Sequence, residues 1–155
     1  MNSQIRMCTI RVNCLSTAKW LVVALAISVS GCASGPAFKK VDSVPADKGL
    51  VYIYRPSTMH GAALVPMIVV KDSRALALKS GSYYTYLASP GPLEIAINHT
   101  GRRTVDIDVK AGQTYYVRGG TVVMGFGVPY IELATAEKAL PELGECKLAP
   151  DTVTP

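Results

Sequence analysis

Two runs near the middle of the chain alternate with period two. Leu93, Ile95 and Ile97 stand against Glu94, Ala96 and Asn98, and Val105, Ile107 and Val109 stand against Thr104, Asp106 and Asp108. Every second side chain of an extended segment points to the same side, so each run predicts a half-buried strand with its apolar residues inward. Shorter segments of similar character flank them. Leu50–Arg55 is closed by Pro56, which favours extended geometry in the residue before it. Ala63–Lys71 carries Pro66, which predicts an edge position or a bulge. Lys71–Arg74 is a turn, and Ala75–Lys79 returns as its hairpin partner. Ser80–Ala88 follows, stopped by Ser89-Pro90-Gly91-Pro92, in which Pro presets φ and Gly permits a positive φ.

Beyond the alternating pair, Lys110–Gln113 turns into a strand over Thr114–Arg118. Gly119–Gly127 is apolar and glycine-rich, and Val128–Ala134 is a last strand. Thr135 is placed to cap a short helix over Ala136–Leu140, with Pro141 as its limit. No segment has the long helical period of a crossover helix, which disfavours a parallel βαβ design. The pattern predicts an all-β fold, an antiparallel Ig-like or transthyretin-like sandwich of about seven strands with a short C-terminal helix.

The N-terminal fifth has a different pattern. Arg6, Arg11 and Lys19, with no acidic residue among them, precede the apolar run Trp20–Ser28 and then Val29-Ser30-Gly31-Cys32. Basic, apolar, small and cut is the order of a secretory signal. The apolar run is about half of the roughly 20 residues that a spanning helix needs. Val29-Ser30-Gly31-Cys32 resembles the lipobox of bacterial lipoproteins. That resemblance implies cleavage between Gly31 and Cys32 and a diacylglyceryl thioether on the Cys32 sulfur, with further acylation of the amino group so freed. It also implies the outer membrane, periplasmic face, because Ala33 stands where an Asp marks retention at the inner membrane. Met7 is an alternative start to Met1.

The expected organisation is a removed signal at residues 1–31, a lipidated tether at 32–48, a sandwich domain at 49–148 and a tail at 149–155. The tether reading comes from the small, Pro and charged residues between Ala33 and Lys48, which show no period. Cleavage changes the charge balance. The 155-residue chain has sixteen basic and eleven acidic residues, a net +5; without Arg6, Arg11 and Lys19 it keeps thirteen against eleven, a net +2. Much of the basicity therefore belongs to the export signal, and a nucleic-acid partner is not indicated. Cysteine usage shrinks likewise: Cys8 and Cys14 leave with the signal and Cys32 takes lipid. Cys146 remains, either as a small, partly buried residue or for intermolecular pairing.

Tyr52-Ile53-Tyr54-Arg55-Pro56, Gly81-Ser82-Tyr83-Tyr84 with Pro90-Gly91-Pro92, Ala111-Gly112-Gln113-Thr114-Tyr115-Tyr116-Val117-Arg118, and Ile131-Glu132-Leu133-Ala134 before a short helix occur in that order. Together they resemble the bacterial lipoprotein domains of the domain-of-unknown-function family 2846, over most of Gly49–Leu148. The resemblance implies a fold and a compartment and carries no activity.

Candidate chemistry is sparse. His60 and His99 stand in no metal-ligand spacing, so neither a metal nor any cofactor beyond the lipid on Cys32 is expected. A His/Asp hydrolase built on Asp106 or Asp108 ranks third among the functions, because a solvated strand face explains that pair, and no catalytic residue is assigned. The glycines of 119–127 lack the Lys-Ser/Thr ending of a phosphate loop. Val122, Val123, Met124 and Phe126 form an apolar stretch that marks a possible surface for an envelope protein partner or a membrane. Tyr83, Tyr84 and Tyr86 are candidates for stacking on peptidoglycan or other glycan, since alternation sends adjacent tyrosines to opposite faces. The expectation is a lipid-anchored, non-enzymatic envelope module that binds or supports, with a glycan-binding version as the alternative.

Overall fold

The computed structural model describes residues 35–59, 61–71, 75–99, 101–122 and 127–150, with Asn98, His99, Gly101 and Arg102 described by backbone alone. The chain divides between Gly31 and Cys32 into two units, and all the described residues lie in the second. Among the described residues, strands run over Gly49–Arg55 (β1), Met67–Val70 (β2), Leu76–Ala77 (β3), Ser82–Ala88 (β4), Gly91–His99 (β5), Gly101–Val109 (β6), Thr114–Val122 (β7), Val128–Ala134 (β8) and Lys147–Leu148 (β9), and a helix over Ala136–Gly144 (α1).

The strands form two sheets, ordered β8-β7-β1-β4-β9 and β3-β2-β5-β6. The fold is an all-β sandwich with a short C-terminal helix; nine strands are described against the about seven expected, β3 and β9 being two residues each. The expected antiparallel pairing is corrected in the five-stranded sheet, which is mixed. β1 is antiparallel to β4 but parallel to β7, with Leu50 beside Thr114 and Tyr54 beside Arg118, and β9 is parallel to β4. Pro90-Gly91 is not a hairpin turn: it carries the chain from β4 in one sheet to β5 in the other, with Gly91 at φ 123°.

Between the sheets lie Val51, Ile53, Tyr84 and Val117 from the five-stranded layer against Ile68, Val70, Ile95, Ile97, Ile107 and Val109 from the four-stranded one. The layers meet closely enough that a Cβ on Gly119 would collide with a methyl of buried Leu78, which would have to shift to admit it. A second apolar cluster covers the other side of the five-stranded sheet, with Leu50, Tyr52, Tyr54, Tyr83 and Tyr116 under Ala139, Leu143 and Cys146 and with Phe38, Val44 and Leu140 packed on them. Every residue of β1 is therefore buried. This explains why Leu50–Tyr54 reads as an unbroken apolar run: a strand covered on both faces has no polar side.

Two local expectations change. From Gly35 onward the segment expected to be a tether is laid along the sheet as a strap. Ala37 bridges to Lys147, the Phe38 amide donates to the Cys146 carbonyl at 3.1 Å, the Leu148 amide donates to Pro36 at 2.8 Å, and the Val41 amide donates to the Tyr52 hydroxyl at 2.9 Å. Phe38 sets its ring edge-on against Tyr52 and Tyr83, with centroids 5.3 and 5.2 Å apart. Phe38 and Val44, two apolar residues without period, together with main-chain bonds, anchor a segment of otherwise linker-like composition.

The helix also continues past Pro141 to Gly144. Proline forfeits the bond to the Glu137 carbonyl, but both residues are exposed, where the loss costs least, and Leu143 beyond it is buried and holds the last turn down. Thr135 occupies the N-cap position without a capping bond from its side chain.

Candidate functional site

β1 ends on Arg55, a charged residue that is 1 % exposed. Its guanidinium donates to four oxygens: the carbonyls of Leu64 at 2.5 Å, Gly61 at 2.6 Å and Leu78 at 3.2 Å, and the Thr121 hydroxyl at 3.3 Å. No carboxylate pairs with it among the described residues, and its Nε has no partner. Burial pushes its pKa down from the usual arginine value, with the nearby Tyr130 acting in the opposite sense. Arginine remains a cation under such pressure. The planar fork reaches the carbonyls of half-buried Gly61 and Leu64 and of buried Leu78 at once, the Gly61 carbonyl accepting from the Leu64 amide as well.

Arg55 thus pins the connection after β1 to the β7–β8 pair. Two further close approaches fix the same junction: a Cβ on Gly61, whose φ is +71°, would collide with the Thr121 hydroxyl, and one on Gly127 would collide with Leu64. This end of the molecule exposes apolar residues. Val122 and Val128 are cross-strand partners and are 48 % and 37 % exposed; Val65 and the almost fully exposed Met59 belong to the pinned connection.

Of the apolar stretch singled out in the sequence, Val122 is therefore at the surface, while Val123, Met124 and Phe126 lie outside the described residues. Gly31, Cys32 and His60 lie outside them too, and the side chain of His99 is not described.

The tyrosine expectation is corrected. Tyr83 and Tyr84 do point to opposite faces of β4, but both faces are covered, and both are buried. Tyr83 packs under Phe38, and Tyr84 donates to the Ala77 carbonyl at 2.7 Å between the sheets. Tyr86 is half-buried against the same core. No row of outward rings exists there for a sugar to stack on.

Asp106 and Asp108 share the outer face of β6, as their spacing requires, with Glu94 directly across from Asp106 on β5. With Lys71 and Pro92 they line a shallow cavity of about 420 Å³. Among the described residues no group of three His, Cys, Asp or Glu side chains converges as metal ligands do, and no helix is long and apolar enough to cross a membrane.

A polar network lies on the helix side. The Tyr54 hydroxyl donates to Glu142 Oε2 at 2.8 Å, and Arg118 Nε donates to the same oxygen at 2.9 Å. Arg118 also donates to the Tyr130 hydroxyl, and Glu132 takes Lys138 Nζ at 2.9 Å. These charges neutralise one another and fasten α1 to β1 and β7. Cys146 is a free, buried thiol below them, its pKa pushed up to about 12 by burial and then by Glu142 and Glu145.

Sequence reading missed Arg55. Its signal was a lone cation closing a wholly apolar run, directly before proline.

Residues 45–127 match the family model described as protein of unknown function, DUF2846. No curated protein and no solved structure matches the chain.

Proposed function

The chain belongs to the DUF2846 family, and on that premise we propose that it is a lipid-anchored, non-enzymatic module of the cell envelope that docks a protein partner through the apolar end of its sandwich. The observation that carries the reading is the exposed cross-strand pair Val122 and Val128 beside a connection that Arg55 holds in place. Apolar residues in a fixed arrangement at a surface favour contact with another surface, because each one covered is removed from water. The lipid anchor rests on Val29-Ser30-Gly31-Cys32 and the basic, apolar segment before it. The outer membrane, periplasmic face, is the location that Ala33 implies.

The test is site-specific photo-crosslinking in intact cells, with the native signal kept. A photoreactive residue at Val122 or Val128 is expected to capture one discrete envelope protein, and the same residue at Asp106 is expected not to. Equal yields from all three positions, or capture that persists with Val122→Asp, would overturn the docking surface. Loss of membrane association in Cys32→Ala is expected from the anchor; an unchanged distribution would overturn it.

A further inference from the structure

The strap changes what a lipid on Cys32 would do to the domain. Gly35 is already docked: a Cβ there would collide with the Leu148 carbonyl, and Pro36 accepts the Leu148 amide at 2.8 Å. Three residue steps separate Cys32 from Gly35, which limits their Cα separation to about 11 Å. The anchored domain is therefore held against the bilayer by the edge where the strap and β9 lie.

That edge carries exposed lysines. Lys39 and Lys40 follow Phe38 on the strap, and Lys147 is on β9 opposite Ala37. Lys79 is one connection away, since the Lys147 amide donates to Gly81 at 2.9 Å and the Ser82 hydroxyl donates to the Lys79 carbonyl at 2.7 Å. Asp42 and Asp47 on the strap and Glu145 shortly before β9 are exposed as well, so the four cations stand against three anions. The outer face of the four-stranded sheet is the more acidic, with Glu94, Asp106 and Asp108 around its cavity against Lys71.

We infer that the strap and β9 edge, through Lys39, Lys40, Lys79 and Lys147, seats the domain edge-on upon an anionic phospholipid bilayer. This rests on the lipid-anchor reading. Anionic headgroups attract lysines within a Debye length and repel the acidic sheet face, so the seat is oriented as well as close. In the strand order β9-β4-β1-β7-β8, the edge strand β8 stands four spacings from β9, about 19 Å at ~4.8 Å each. Val128 on β8 is then lifted clear of the headgroups, where a soluble partner reaches it.

The experiment uses the full lipidated chain in phosphatidylglycerol–phosphatidylethanolamine vesicles that contain a lipid with a nitroxide on its headgroup. A fluorophore is attached at Ala37→Cys or at Leu133→Cys, both of which are exposed. Quenching is expected to be about threefold or more stronger at residue 37 than at 133, and the difference is expected to shrink in phosphatidylcholine vesicles and in Lys39→Glu/Lys40→Glu/Lys147→Glu. Equal quenching at both positions, or a difference indifferent to lipid charge and to the three reversals, overturns the seat. The intact mass of the mature chain separates the two failures. A diacylglyceryl adduct on Cys32 with a flat quenching pattern sinks the seat alone, whereas a mass without the adduct sinks the anchor and the seat with it.

Discussion

The Sγ of Cys146 lies 3.5 Å from the main-chain oxygen of Arg55 and 3.3 Å from that of Glu142, so the thiol donates into the junction between β1 and α1. A thiolate in that place would face two carbonyl oxygens and the carboxylates of Glu142 and Glu145.

Cys146 is accordingly expected to resist alkylation in the native state. Thiol reagents at pH 8 should label it only as fast as the domain opens, and fully in denaturant, where its pKa returns to about 8.5. Rapid labelling of the native chain would contradict the packing.

Alkali should unfold the domain. Burial raises the pKa of Cys146, Tyr52, Tyr54, Tyr83 and Tyr116 above their ordinary values. A raised folded-state pKa means that the native chain keeps a proton the unfolded chain has lost. Stability is complete below the unfolded pKa and falls as pH rises through the folded one. The decline should begin near pH 9 with the thiol and steepen above about pH 10 with the tyrosines, approaching about 1.4 kcal/mol per pH unit for each proton so retained. Urea titrations between pH 7 and 11, read beside tyrosinate absorbance, measure it; a flat profile would be the contrary result.

Replacing Arg55 should cost more than any surface charge in the molecule. Arg55→Met removes the donors of three carbonyls and a hydroxyl in a buried place, and about 3 kcal/mol of stability is expected to go with them. Arg55→Lys should recover little, because an ammonium offers three donors from one point where the guanidinium offers a fork. Proteolysis of the native variants is expected to concentrate between Ser57 and Val65, the connection that Arg55 pins.

Phe38→Ala should detach the strap. Losing two edge-on ring contacts and the apolar cover they supply costs about 2 kcal/mol, and hydrogen exchange at the Phe38 and Val41 amides should approach free-chain rates while β1 stays protected. Gly35→Ala is expected to raise the same exchange, since its Cβ has no room beside Leu148.

Arg118 and Glu142 should be coupled. Their side chains are 18 % and 26 % exposed and meet at 2.9 Å, so a double-mutant cycle with Arg118→Met and Glu142→Gln is expected to return about 1 kcal/mol. A value near zero would assign the fastening of α1 to Leu143 and Ala139 alone.

Strands were legible wherever one face was wet. Leu93–Asn98 and Arg103–Val109 alternate because Glu94, Thr104, Asp106 and Asp108 meet solvent on the outer side of their sheet, and both are strands with Ile95, Ile97 and Ile107 inward. β1 showed its existence but not its place: a run buried on two sides has no alternation, and nothing local says that Leu50 pairs with Thr114. The tyrosines misled because period two fixes which face a ring is on and not whether α1 or the strap covers that face. Arg55 stayed hidden for a related reason, since its acceptors at residues 61, 64, 78 and 121 come together only in the assembled fold.

The parallel pairing of β1 with β7 sets the order in which this chain can mature. A polypeptide emerging N-terminus first presents its central strand early and that strand's second neighbour only after Val122, while β9 and α1 come later still. Pairings between segments so distant close slowly, in milliseconds to seconds for domains of this kind. During that interval the edge of β1 stands bare, and a chaperone or an unfolded neighbour can compete for it before β7 arrives.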